Sequence, residues 1–111
     1  MGRKFLGEED QIQHDIVKHC IRSGLFVFHI PNGGHRSMRE GMRFKAIGVV
    51  AGIPDLFIPA LNLWLEVKTA KGRLSPAQRN IHATLTAIGH RVATVRSLDE
   101  AKKEIENAAA N

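Results

Sequence analysis

The sequence predicts a small α/β domain: a mixed, four-stranded central sheet flanked by helices. Three observations carry this. Apolar stripes at helical spacing alternate with short apolar or alternating runs, in the order α-β-α-β-β-α-β-α. Two of the extended runs are separated only by Pro59 to Asn62, which makes them a hairpin. The chain has 111 residues, 43% hydrophobic and 24% charged, which suits one domain with a modest core; no internal repeat or linker divides it.

Residues 1–7 form a short lead. Glu8 to Arg22 is a helix, because Ile12, Ile16 and Cys20 recur every four residues with Val17 and Ile21 beside them; Gly24 is its stop. Leu25 to Ile30 is a strand, broken by Pro31-Asn32-Gly33-Gly34. Gly33-Gly34 suits either close approach to a phosphate or a plain loop. His35 to Ile47 is a second helix with Met38, Met42 and Ala46 turned inward. Arg36, Arg39 and Arg43 line another side of it, and with Lys45 they are candidates for gripping phosphates.

The hairpin follows. Asp55 to Ile58 is one strand and Leu63 to Lys68 the other. If Ile58 pairs with Leu63, then Phe57 meets Trp64, Leu56 meets Leu65 and Asp55 meets Glu66. Side chains alternate between faces, so Leu56, Ile58, Leu63, Leu65 and Val67 make one apolar face. Asp55, Phe57, Trp64, Glu66 and Lys68 share the other. Opposed Cβ atoms lie about 4.5–5.5 Å apart. Two carboxylates that close repel unless a cation joins them or one is protonated. A hard divalent ion such as Mg²⁺ suits two such acids, and Lys68 on the same face can steady a phosphate or orient a water. Read alone, Glu66 and Lys68 are also compatible with an ordinary ion pair.

Beyond the hairpin, the turn Thr69 to Leu74 adds Lys71 and Arg73 near this face. Ser75 caps a helix running to about Ile88, with Pro76 in its first position and Gln78 in the third, a capping box. Ile81, Leu85 and Ile88 are its inward stripe and Gly89 ends it. Arg91 to Val95 is the last strand. Ser97 with Glu100 starts a final helix to about Asn107, followed by a frayed tail, 108–111. The sheet's apolar face is expected to pack on the helices beginning at Glu8 and Ser75, with the carboxylate edge open to solvent.

Charge and chemistry narrow the function. The formal net charge is +5, but between Ile16 and Leu98 there are 12 Lys/Arg and only three acids: Glu40, Asp55 and Glu66. A basic middle with two isolated carboxylates suits a polyanion that must reach a metal. Cys20 is alone, so an intrachain disulfide is excluded, which fits a reducing compartment. With no apolar run of membrane-spanning length and no signal-like start, a cytoplasmic location is expected. The six histidines show no zinc-like spacing, and nothing supports a nucleophilic triad.

Ile53-Pro54-Asp55 followed by Glu66-Val67-Lys68 resembles the signature of PD-(D/E)xK nucleases. The wider pattern resembles the VRR-NUC family. It adds Glu9 with Ile12-Gln13, Asn32-Gly33, Gly52-Ile53-Pro54-Asp55-Leu56 and Ser75-Pro76-Ala77-Gln78, and spans about Glu8 to Ser97. The resemblance implies a restriction-endonuclease-like fold and Mg²⁺- or Mn²⁺-dependent hydrolysis of phosphodiester bonds in DNA. Stand-alone members of this size are similar to homodimeric, structure-selective nucleases of phages and bacteria, including enzymes acting on four-way (Holliday) junctions. It further implies Asp55, Glu66 and the Val67 carbonyl as metal ligands, Lys68 as support for the nucleophile, and Glu9 and Gln78 as further active-site residues. From the residues themselves, Glu9 equally serves a helix dipole, with Glu8 as the register alternative, and Gln78 equally serves only its cap. Two other classes are a catalytically inactive nucleic-acid-binding module of the same fold and a protein whose basic face meets an acidic partner.

Overall fold

The computed structural model describes residues 6–31 and 37–111. Its elements are α1 (Glu8–Arg22), β1 (Phe28–His29), α2 (Met38–Ala46), β2 (Leu56–Ile58), β3 (Leu63–Val67), α3 (Pro76–Ala87), β4 (Arg91–Val95) and α4 (Leu98–Ala110). The four strands form one sheet in the order β1-β2-β3-β4. β1 and β3 both run antiparallel to β2, while β4 lies parallel to β3. A parallel pair needs a crossover, and α3 provides it.

The hairpin has the expected register: Leu56 opposite Leu65, Phe57 opposite Trp64, Ile58 opposite Leu63. Pro59–Leu61 makes a 3₁₀ turn, and Asn62 closes it at φ 51. That left-handed conformation suits asparagine, whose amide donates to the Gly89 carbonyl at 3.1 Å. The register is pinned by burial. Leu56, Ile58, Leu63, Leu65 and Val67 are all 0–1% exposed, and a slip of one residue would turn every one of them to the other face.

The helices divide differently from the expectation. The core cluster joins those five side chains to Ile16 and Cys20 of α1, Val95 of β4, and Ala101, Ile105 and Ala108 of α4. Thus α1 and α4, not α1 and α3, cover the apolar face. Helix α3 buries no residue completely; Ile81 and Leu85 are half-buried and Ile88 is 68% exposed. Physically, α4 presents Ala101, Ile105 and Ala108 one turn apart, and the small alanines let the helix sit close on the sheet. The presumed frayed tail is part of this stripe: α4 continues to Ala110, consistent with the high helix propensity of alanine.

Other boundaries moved too. Only Phe28–His29 of the Leu25–Ile30 run pairs as a strand. Helix α2 begins at Met38, capped by Ser37, which accepts from the Glu40 amide while the Glu40 carboxylate accepts from the Ser37 amide. Met38 and Met42 are not inward; they are 82% and 67% exposed, and α2 buries no side chain. The segment Asn32 to Arg36 lies outside the described residues, as does the start of the lead. Among the described residues, no helix is long and apolar enough to cross a membrane.

One glycine ties the hairpin to α3. Gly52 has φ +93, and a Cβ there would overlap the Ala77 carbonyl and lie 2.9 Å from the Gln78 nitrogen. The segment leading to Asp55 therefore runs against the first turn of the crossover helix, at a distance only glycine allows. Gly52→Ala is expected to destabilise the fold by about 1–3 kcal/mol, from the strained φ together with the backbone overlap. A urea midpoint unchanged from the wild type would contradict that close approach.

Candidate active site

Asp55 stands one residue before β2, and extending the observed register by one brings it opposite Glu66 on β3. Its backbone is fixed by the edge strand: the Asp55 carbonyl accepts from the Ile30 amide at 2.9 Å and from the His29 ring at 2.8 Å. A carbonyl only accepts, so His29 carries its proton on Nδ1. Asp55 Oδ2 accepts from the Val67 amide at 2.7 Å, which locks the carboxylate across the mouth of the hairpin.

Glu66 is 2% exposed, which departs from an open carboxylate edge. Helix α3 closes over it. Glu66 Oε2 accepts from Gln78 Nε2 at 3.4 Å, and Oε1 lies 3.1 Å from His82 Nε2. Gln78 also accepts, through Oε1, from the Ser75 amide at 2.8 Å. The two readings of Gln78 are therefore both present in one side chain: its oxygen closes the cap and its nitrogen reaches Glu66. Residues 78 and 82 are one turn apart, so a single face of α3 reaches both oxygens.

Electrostatics show how tightly the acids converge. Burial, a hydrogen bond to the Asp55 side chain and the Asp55 charge push the Glu66 carboxyl up to about 9 from its ordinary 4.5, while Lys68 pulls it down. Glu9, exposed on the first turn of α1, is pushed up by desolvation; the Lys68 charge opposes this and Asp55 adds to it. Glu9 thus shares the electrostatic field of Asp55, Glu66 and Lys68, at the rim of the site. His82 is held below its ordinary value by desolvation and by the Lys68 charge, so it is a neutral imidazole around pH 7. Cys20 is buried and its thiol is pushed up by burial, which leaves no reactive thiolate.

Asp55, Glu66, Lys68, Glu9 and Gln78 therefore come together, with Val67 contributing its amide. Lys71 and Arg73 are exposed on the loop that leaves β3. That loop is tied back by Arg96, whose Nη1 donates to the Thr69 and Gly72 carbonyls at 2.6 Å each. Arg39, Arg43 and Lys45 are exposed on α2, with the Arg43 guanidinium 4.8 Å above the Phe44 ring. Arg36 lies outside the described residues. Sequence reasoning missed His82, His29 and Arg96. His82 had a legible signal, one helical turn beyond Gln78; the other two act through backbone carbonyls, which sequence does not report.

The donor set suits a hard cation. Two opposed carboxyls, one of them pushed toward its protonated form by burial and then by the other acid, form a site where a divalent ion would replace a proton. Among the described residues no cluster of three or more His, Cys, Asp or Glu side chains forms an all-protein cage. Two carboxylates, with water and phosphate completing the shell, is the arrangement Mg²⁺ ordinarily takes.

No family model matches the chain, and a comparison with curated proteins gives no match. A solved structure titled "VRR_NUC domain protein" superposes with a TM-score of 0.75 at 22% identity, covering 92% of this chain and 88% of that one. The chain has the VRR-NUC fold. The four-stranded mixed sheet with four helices is shared with the VRR_NUC structure.

The raised Glu66 value makes a pH prediction for the metal-free protein. Between about 4.5 and about 9 the folded state keeps a proton that the unfolded state has lost. The stabilisation is full below about 4.5 and is lost as pH rises through about 9. Stability in EDTA should fall with rising pH across this window, by up to about 1.4 kcal/mol per unit from this group. Glu66→Gln should flatten the slope; an identical slope in that variant would contradict the assignment.

Proposed function

We propose that this protein is a divalent-metal-dependent endonuclease that hydrolyses phosphodiester bonds in DNA. The observation that carries the reading is the meeting of Asp55 and Glu66 across the hairpin, with Lys68 and Glu9 in the same field, inside a strongly basic stretch of chain. The VRR-NUC fold supports it.

In this reading Asp55, Glu66 and the Val67 carbonyl hold Mg²⁺ or Mn²⁺. The ion supplies Lewis-acid polarisation of the phosphate and a lowered pKa for water. Lys68 brings a positive charge to the scissile group, where it neutralises developing negative charge or orients the attacking water. Gln78 keeps one Glu66 oxygen in place, and Glu9 adds an acid at the rim. Arg39, Arg43 and Lys45 on α2, with Arg36 preceding it and Lys71 and Arg73 on the loop, bind backbone phosphates on either side of the cut.

The substrate we favour is branched DNA such as a four-way junction, cut by a homodimer with two sites related by a two-fold axis. A row of rings supports a second copy. Phe26, Phe28, Phe57, Trp64 and His90 follow one another across the sheet face opposite the core, with ring centroids 4.3 to 6.2 Å apart. Phe26 is 68% and Phe28 41% exposed. A strip of aromatic rings is well suited to burial against another protein surface.

The test is a cleavage panel of duplex, single strand, flap, splayed arm and four-way junction, in Mg²⁺, Mn²⁺ and Ca²⁺. Cutting is expected with Mg²⁺ or Mn²⁺ and not with Ca²⁺, strongest on the branched forms. Glu66→Ala should lose cutting by at least about 10³-fold while keeping DNA binding. Undiminished cutting by that variant would overturn the catalytic assignment. Sedimentation should give a dimer, and a monomer both free and on DNA would remove the two-fold arrangement.

A further inference from the structure

His82 has no role in the assignments above, yet it is a direct side-chain partner of the most buried acid in the chain. Glu66 is 2% exposed and His82 14%, with 3.1 Å between Oε1 and Nε2. A buried carboxylate must have its oxygens satisfied, and each oxygen left unpartnered costs stability and orientation. Gln78 satisfies Oε2 and is itself fixed by the Ser75 amide. Oε1 has His82.

Both partners come from one face of α3, and the first turn of α3 is seated against Gly52 in the segment leading to Asp55. The helix therefore fixes Glu66 relative to Asp55 rather than merely covering it. We propose that His82 is a positioning residue for metal binding: with Gln78 it grips both oxygens of Glu66 from α3 and sets the plane in which that carboxylate meets a divalent cation shared with Asp55. With Glu66 ionised, Oε1 accepts and His82 Nε2 bears the hydrogen. Groups that orient a metal-ligating side chain in this way are as much part of a site as the ligands.

This inference rests on the metal-dependent reading of the site. It is tested by Mn²⁺ affinity without DNA, measured by calorimetry or by the Mn²⁺ resonance signal, with folding checked by circular dichroism and urea midpoint. His82→Ala should weaken Mn²⁺ binding about 10–100-fold. His82→Gln, which restores an N–H donor at similar reach, should bind within a few-fold of the wild type. His82→Leu, similar in bulk but without a donor, should behave like His82→Ala, and this pair decides the matter if the alanine variant does not fold. Wild-type affinity in His82→Leu, or equal loss in His82→Gln and His82→Leu, overturns the positioning role. If the wild type binds no Mn²⁺, or Glu66→Ala binds as well as the wild type, the metal site itself falls.

Discussion

Two carboxyl groups are forced together across the β2–β3 ladder, and the rest of the structure depends on that confinement. Buried apolar side chains on the opposite face forbid a register slip, so Asp55 and Glu66 cannot separate by sliding. Burial and the facing Asp55 push Glu66 toward its protonated form, and in the proposed reading a divalent cation would take the place of that proton. In that reading, what holds the fold in register is therefore also what would create affinity for a cation.

Each layer around the hairpin serves one half of this arrangement. Helices α1 and α4 supply the core that fixes the register, and a fully buried Leu or Ile there contributes about 1.5–3 kcal/mol. Helix α3 lies on the other face and contributes almost no core; its role is to bring Gln78 and His82 to Glu66. The edge strand β1 is short, yet it holds the Asp55 carbonyl through Ile30 and His29. Arg96, where β4 gives way to α4, anchors the loop that carries Lys71 and Arg73 beside Lys68. Helix α2 stands apart from this core with its methionines and arginines exposed, available to a partner or to DNA rather than to the domain's own packing.

Much of this was legible in the sequence because the strongest signals were local. Period-two alternation in Leu56 to Ile58 and Leu63 to Val67 fixes the faces, and a tight turn at Pro59 to Asn62 suggests the register that opposes the two acids, which the structure bears out. The capping box at Ser75 and Gln78 fixes where α3 begins. What could not be read was which helix packs where. Ile81, Leu85 and Ile88 form as apolar a stripe as Ala101, Ile105 and Ala108, and only the close approach permitted by alanine favours α4 over the core. The exposure of Met38 and Met42 was equally hidden, since an amphipathic pattern says that a face will be covered without saying by what. His82 escaped because histidines were weighed against one another as metal ligands, whereas its partner is a carboxylate sixteen residues upstream.

The central claim, that one proton occupies the place of a divalent cation between Asp55 and Glu66, has a direct measurement. Mg²⁺ or Mn²⁺ is titrated calorimetrically near pH 7 in two buffers of different ionisation heat, which counts the protons exchanged on binding. The account predicts release of close to one proton per ion bound, and no such release in Glu66→Gln. Binding with no proton release, or release unchanged in that variant, would contradict it.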